Sequence, residues 1–187
     1  MHNLLRRLLA AGLALCLAFS GAAVARADDT ICRGTLGAIS VDNLKVPDRA
    51  KCTLNGAHVK GNIIVGTGAT LIAKAVTVDG NLQAEGAQSV TVTSRSFVGG
   101  SVQIKQGGGA SLSGLRINGD LQLESNRSRL TISGNRVGGN LQAVQNTGGL
   151  RLTDNRIAQA LQCKENTPAP TGGGNVAGDK EDQCAGL

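Results

Sequence analysis

The chain has 187 residues, with 27 Gly, 5 Cys, 2 Phe and neither Trp nor Tyr, which is the size of one domain. Aromatic residues at 1% put nucleic-acid readout by base stacking and sugar recognition by ring stacking at a disadvantage from the start. The formal charge of +6 overstates the basic character, because part of it stands in a segment expected to be removed.

Residues 1–27 read as a secretory leader: Arg6 and Arg7 open it, an apolar run follows from Leu8 to Phe19, and Ala25-Arg26-Ala27 makes a small-x-small cleavage site. The run is too short for a bilayer core that takes roughly 20 residues, and Leu15 before Cys16 argues against a lipoprotein leader. Removing 27 of the 187 residues leaves 160. Arg6, Arg7 and Arg26 go with them, so the 19 basic residues become 16 against 13 acids, a net charge of +3. That is too mild to argue for nucleic acid or an anionic membrane. The remainder is expected to be secreted or periplasmic, with no transmembrane segment, and it holds one His (His58), one aromatic (Phe97) and four cysteines.

A short phrase then returns along the chain. Val59-Lys60-Gly61-Asn62-Ile63 reappears at Val78–Leu82, Val98–Val102, Ile117–Leu121, Val137–Leu141 and, more loosely, Ile157–Leu161. Its anchors Gly61, Gly80, Gly100, Gly119, Gly139 and Gln159 lie 19 or 20 residues apart, and Gly178 adds a weaker return. Between anchors apolar residues alternate with polar ones, the pattern of strands with one buried face and not of helices. Stacking the units gives five apolar columns, which begin at Ile63, Val65, Leu71, Ala73 and Val78 and recur every 19–20 residues. Length changes fall at Gly-, Asn- and Ser-rich turns, which leaves the strands in register.

Three short strands per 20-residue unit predict one coil of a parallel β-helix. The fold expected is all-β, a right-handed parallel β-helix of about seven coils, its hand following the rule for parallel connections. A leucine-rich repeat shares the period, but its Leu-x-x-Leu-x-Leu-x-x-Asn phrase cannot be traced. Residues 28–56 are expected to form the first coil and cap, 57–163 the coils and 164–187 the closing cap. Cys32 and Cys52 are 20 residues apart and Cys163 and Cys184 are 21 apart, so each pair stands one coil apart in a single column. Stacked strands set such Cα atoms about 5 Å apart, within disulfide range, which predicts Cys32–Cys52 and Cys163–Cys184 as staples of the two ends. With one His and no Cys-x-x-Cys, no metal site is expected, nor any other cofactor.

The phrase Gly-Asn-Leu-Gln at Gly80–Gln83 and Gly139–Gln142, together with the ending Cys163–Asn175, resembles a group of small exported bacterial β-solenoid proteins without an assigned activity. The architecture is also similar to bactofilins, cytosolic β-helices that polymerise end to end, a likeness that implies a self-associating structural module.

Three outward files are left to carry function. Gln83, Gln103, Gln122, Gln142 and Gln162 could form an amide ladder that stiffens the solenoid. Arg116, Arg136 and Arg156 could meet an acidic glycan or a lipid head group, or be balanced by carboxylates such as Asp154 or Glu124. Thr91, Thr93, Ser111, Ser113, Thr131, Ser133 and Thr153 make two hydroxyl columns whose spacing resembles the arrays of ice-binding β-helices. An enzyme is not expected: carboxylates are scattered among columns, with Glu85, Lys105 and Glu124 alternating in sign as a surface ladder. His58 has no Ser or Cys nucleophile in register, and Thr171–Gly174 lacks the Lys-Ser/Thr of a phosphate loop. The sequence therefore points to an exported, non-enzymatic structural or binding protein of the envelope or extracellular space. Its partner would be an envelope polymer or glycan and not nucleic acid, and its oligomeric state is open. The alternative is the self-associating module, with an ice-binding surface or a polysaccharide-active enzyme behind it.

Overall fold

The computed structural model describes residues 29–187, so the leader expected over 1–27 lies outside the described residues. The strands gather into three parallel sheets of nine, eight and seven members, here called A, B and C. The chain visits A, B and C in order, and each strand pairs with the strand of the same sheet one turn away. The fifth turn shows the pattern: Val102–Lys105 in A, Gly109–Ser113 in B and Arg116–Ile117 in C. This is a three-sided parallel β-solenoid of about eight turns. The repeat phrase counts about seven; an earlier turn over Asp29–Ile31, Thr35–Leu36 and Ser40–Val41 lacks the phrase and supplies the other.

Strands of the repeating turns alternate buried and outward positions because successive side chains point to opposite faces. All five apolar columns stack in register: Leu82 lies opposite Ile63 and Val102, Ile132 opposite Leu112 and Leu152, and Val137 opposite Ile117 and Ile157. Their side chains fill the axis and are buried from Leu44 through Cys163.

The corners explain the repeat phrase. Where sheet C hands over to sheet A, the Asn62 side-chain oxygen accepts the Asn81 N–H at 2.9 Å, and the Asn81 oxygen accepts the Ser101 N–H at 2.8 Å. Ser101, Asp120 and Asn140 continue the file to the Ala160 N–H. At the glycine anchors Gly80, Gly100, Gly119 and Gly139 such an oxygen occupies the space a side chain would need. A Cβ at Gly80 would stand 2.6 Å from the Gly61 carbonyl oxygen and 2.7 Å from the Asn62 amide oxygen. Gly80→Ala is therefore expected to cost about 1–3 kcal/mol through overpacking. Leu36→Ala, at a partly buried position in the first turn, is expected to cost less, and urea midpoints compare the two.

Both predicted disulfides are present, with Cα separations of 5.5 Å for Cys32–Cys52 and 5.2 Å for Cys163–Cys184. Neither pair shares a column. Thr35 pairs with Thr53, which sets Gly34 level with Cys52, and Cys163 pairs with Asp182. Cys184 reaches its partner through a turn in which its N–H donates to the Glu181 carbonyl at 3.1 Å, folding the thiol side back into the core. Closing loops of 20 and 21 residues corresponds to about 3 kcal/mol for each bridge. Replacing either cysteine pair by serine should lower the urea midpoint, and reducing agent should have no further effect on a variant lacking both.

Candidate functional site

Outward side chains are the only ones free to meet a partner, and their charge is distributed unevenly over the three sheets. No strand of sheet B or of sheet C contains an Asp or a Glu. Among the described residues, strand carboxylates are confined to sheet A, at Asp29, Glu85, Glu124, Asp179, Glu181 and Asp182. Sheets B and C carry Lys51, Lys74, Arg116, Arg136, Arg151 and Arg156 instead.

Arg116, Arg136 and Arg156 are brought together. They are successive register partners on sheet C, about 4.8 Å apart along the axis, and all three are exposed. Among the described residues no arginine lies within ion-pair distance of a carboxylate. The counter-charges expected from Asp154 and Glu124 do not reach the file. Glu124 pairs with Lys105 at 3.1 Å on sheet A, and Asp154 sits at a corner in the left-handed conformation, against Gly174. Three like charges side by side without a carboxylate repel one another, although Arg116 Nε donates to Asn118 Oδ1 at 3.4 Å, and a bound anion would relieve that repulsion. The same file runs from His58 through Thr77 and Phe97 to Arg116, and beyond Arg156 to Val176.

The hydroxyl columns lie on sheet B. Thr91, Ser111 and Thr131 are register partners, the next position is Arg151, and Thr171 follows it. Ser113, Ser133 and Thr153 form the second column, and Thr93 pairs with Lys74 in the turn before. All seven predicted hydroxyl residues are half-buried. Arg129 and Arg151 frame a depression of about 370 Å³ beside Thr131, Gly149, Pro168 and Thr171.

The amide ladder stands elsewhere than predicted. Among the described residues none of Gln83, Gln103, Gln122, Gln142 and Gln162 donates to the next, and Gln162 instead donates to Glu181 at 2.9 Å. The ladders run through buried corner asparagines. Asn126 donates its amide to the Asn146 oxygen at 3.0 Å, Asn146 to Asn166 at 2.9 Å, and Asn166 to the Gln183 oxygen at 3.1 Å. Asn135, Asn155 and Asn175 repeat the arrangement at the next corner, with links of 2.9 Å. Outward glutamines compete with water for partners, whereas a buried amide must find protein partners. The signal is present in the sequence as Asn recurring at turn length, but recurrence alone does not reveal burial.

One grouping escapes the sequence pattern. Ser40 is the register partner of His58, so a hydroxyl does stand beside that imidazole, and His58 Nε2 lies 2.8 Å from Asp79 Oδ2. The first turn, where the repeat phrase fails, conceals Ser40. Serine and imidazole make no hydrogen bond to one another among the described residues, and the group lies on an open strand surface with the His58 and Asp79 side chains nearly half exposed. Near it, Lys60 pairs with Asp42 at 3.1 Å. No protein-family profile, curated protein or solved structure matches this chain.

Proposed function

We propose that the protein is an exported, non-enzymatic binding module of the cell envelope or extracellular space, which holds a polymer against the sheets whose strands carry no carboxylate. The observation that carries this reading is the file Arg116–Arg136–Arg156, exposed, in register and without an acidic partner. A stiff solenoid held by two disulfides supports it, because a surface preorganised over several turns loses little freedom when an extended ligand lies down on it. Disulfides at both ends also fit an oxidising compartment.

The test is co-sedimentation of the oxidised protein, residues 28–187, with a panel of insoluble and gel-forming polysaccharides, neutral and acidic. Retention by at least one polymer is expected, and retention by none overturns the reading. Sedimentation velocity across a wide concentration range addresses the self-associating alternative. A persistent monomer is expected, since both terminal turns are stapled; reversible growth with concentration would favour assembly.

A further inference from the structure

We propose that the ligand is a linear polyuronate whose chain runs along the solenoid axis over the file Phe97–Arg116–Arg136–Arg156–Val176, its carboxylates held by the guanidinium groups. The inference rests on the polymer-binding reading above and adds the ligand's chemical class and direction. Phe97 is half-buried and directly precedes Arg116 in the register, while Val176, 60% exposed, directly follows Arg156. The file thus offers an apolar surface at each end for a ring face and three forks between them for anions. Guanidinium groups match carboxylates with two parallel hydrogen bonds, a fit that a point charge does not share.

The neighbouring corner adds room and charge. Gly114 and Gly134 turn the chain there with φ of +66° and +62°, and a Cβ built on either would meet nothing within 4 Å. Their missing side chains leave a groove beside the file, lined by Arg95, Arg116 and Arg136 and floored by Leu115. Arg95 thereby joins Arg116 and Arg136 as a third cation of that groove, and among the described residues none of the three lies within ion-pair distance of a carboxylate.

Direction follows from the register. Arginines that repeat along the axis at about 4.8 Å, the strand spacing, set their charges in a line that a polyanion lying along the axis can follow. A ligand lying across the strands would meet only one of them. Nucleic acid fits less well: a single aromatic residue on this face gives no series of stacking platforms, and the charge outside the leader is mild.

Binding is measured with polymannuronate, with its hydroxypropyl ester as the uncharged counterpart, and with mannuronate oligomers of increasing length. Polymannuronate is expected to bind, more weakly as salt rises, and the ester at least tenfold more weakly. Arg116→Ala/Arg136→Ala/Arg156→Ala should lose about tenfold to hundredfold in affinity. Lys164→Ala on sheet A should lose nothing, and an unchanged urea midpoint confirms that the triple variant is folded. Affinity should climb with oligomer length until the file is spanned and then level off. Equal binding of acid and ester, or an unaffected triple variant, overturns the polyuronate inference. If neutral polymers are still retained in that case, the general polymer-binding reading survives; retention of no polymer defeats both.

Discussion

Ile132→Asp is expected to abolish cooperative folding, or to cost more than about 4 kcal/mol if a folded fraction survives. Ile132 is fully buried and stacked between Leu112 and Leu152. A carboxylate there has no cation or donor within the apolar column, and a buried unpaired charge is among the most destabilising single changes. The matching change one residue earlier, Thr131→Asp, should shift the urea midpoint little. Thr131 points outward beside Ser111 and Arg151, and a carboxylate there gains a neighbouring guanidinium. Urea unfolding of the two variants side by side checks the strand register directly. Equal tolerance would mean that the strand faces the other way.

Asn146→Ala is the second large effect, expected at about 3–5 kcal/mol. The Asn146 side chain makes four hydrogen bonds at the corner between sheets A and B, one of them to the Asn166 oxygen. Its oxygen accepts the Asn126 N–H at 3.0 Å and the Asn126 amide at 3.0 Å, and its own amide donates to the Leu123 carbonyl at 2.9 Å. Alanine removes all four and leaves a buried N–H and a buried carbonyl without these partners, each of which costs about 1–3 kcal/mol. The Asn166 oxygen also loses one of its donors, so the damage spreads to the next turn. Gln122→Ala, in the outward file, should fall within about 0.5 kcal/mol of the parent. A loss at Gln122 comparable to that at Asn146 would show that the outward amides carry stability after all.

Much of this architecture is legible in the amino-acid sequence. Strand alternation is local, and repetition at 19–20 residues lets six imperfect copies reinforce one another, so the columns assigned from Ile63 to Leu161 coincide with the register of the folded chain. The partners of the cysteines are legible for the same reason. Their stagger is not, because the first turn is shorter than the others and the last strand ends in a turn. Both departures lie where the chain stops repeating. The first turn escapes the count on the same ground, and with it the pairing of Ser40 with His58.

Polar residues divide differently. Gln83–Gln162 and Asn126–Asn166 both recur at the turn length, and the period cannot tell which file closes into a ladder. Burial makes that choice: an amide inside a corner must replace its water partners, and the backbone groups of the turns before and after are the ones within reach. The arginine file is visible as a spacing, yet its want of partners is not. Asp154 and Glu124 are near in sequence, but the chain path sends one to a corner and the other to sheet A.

By itself, then, the sequence determined the solenoid, its period and the identity of its core, since these follow from alternation repeated at constant length, and separations of about one turn indicated the cysteine partners though not their stagger. Only the tertiary structure decided which amides are buried, which charges are neutralised and which sheets have strands without a carboxylate. Those depend on where the corners fall and on what each side chain meets across a turn, and three-dimensional closure alone sets such contacts.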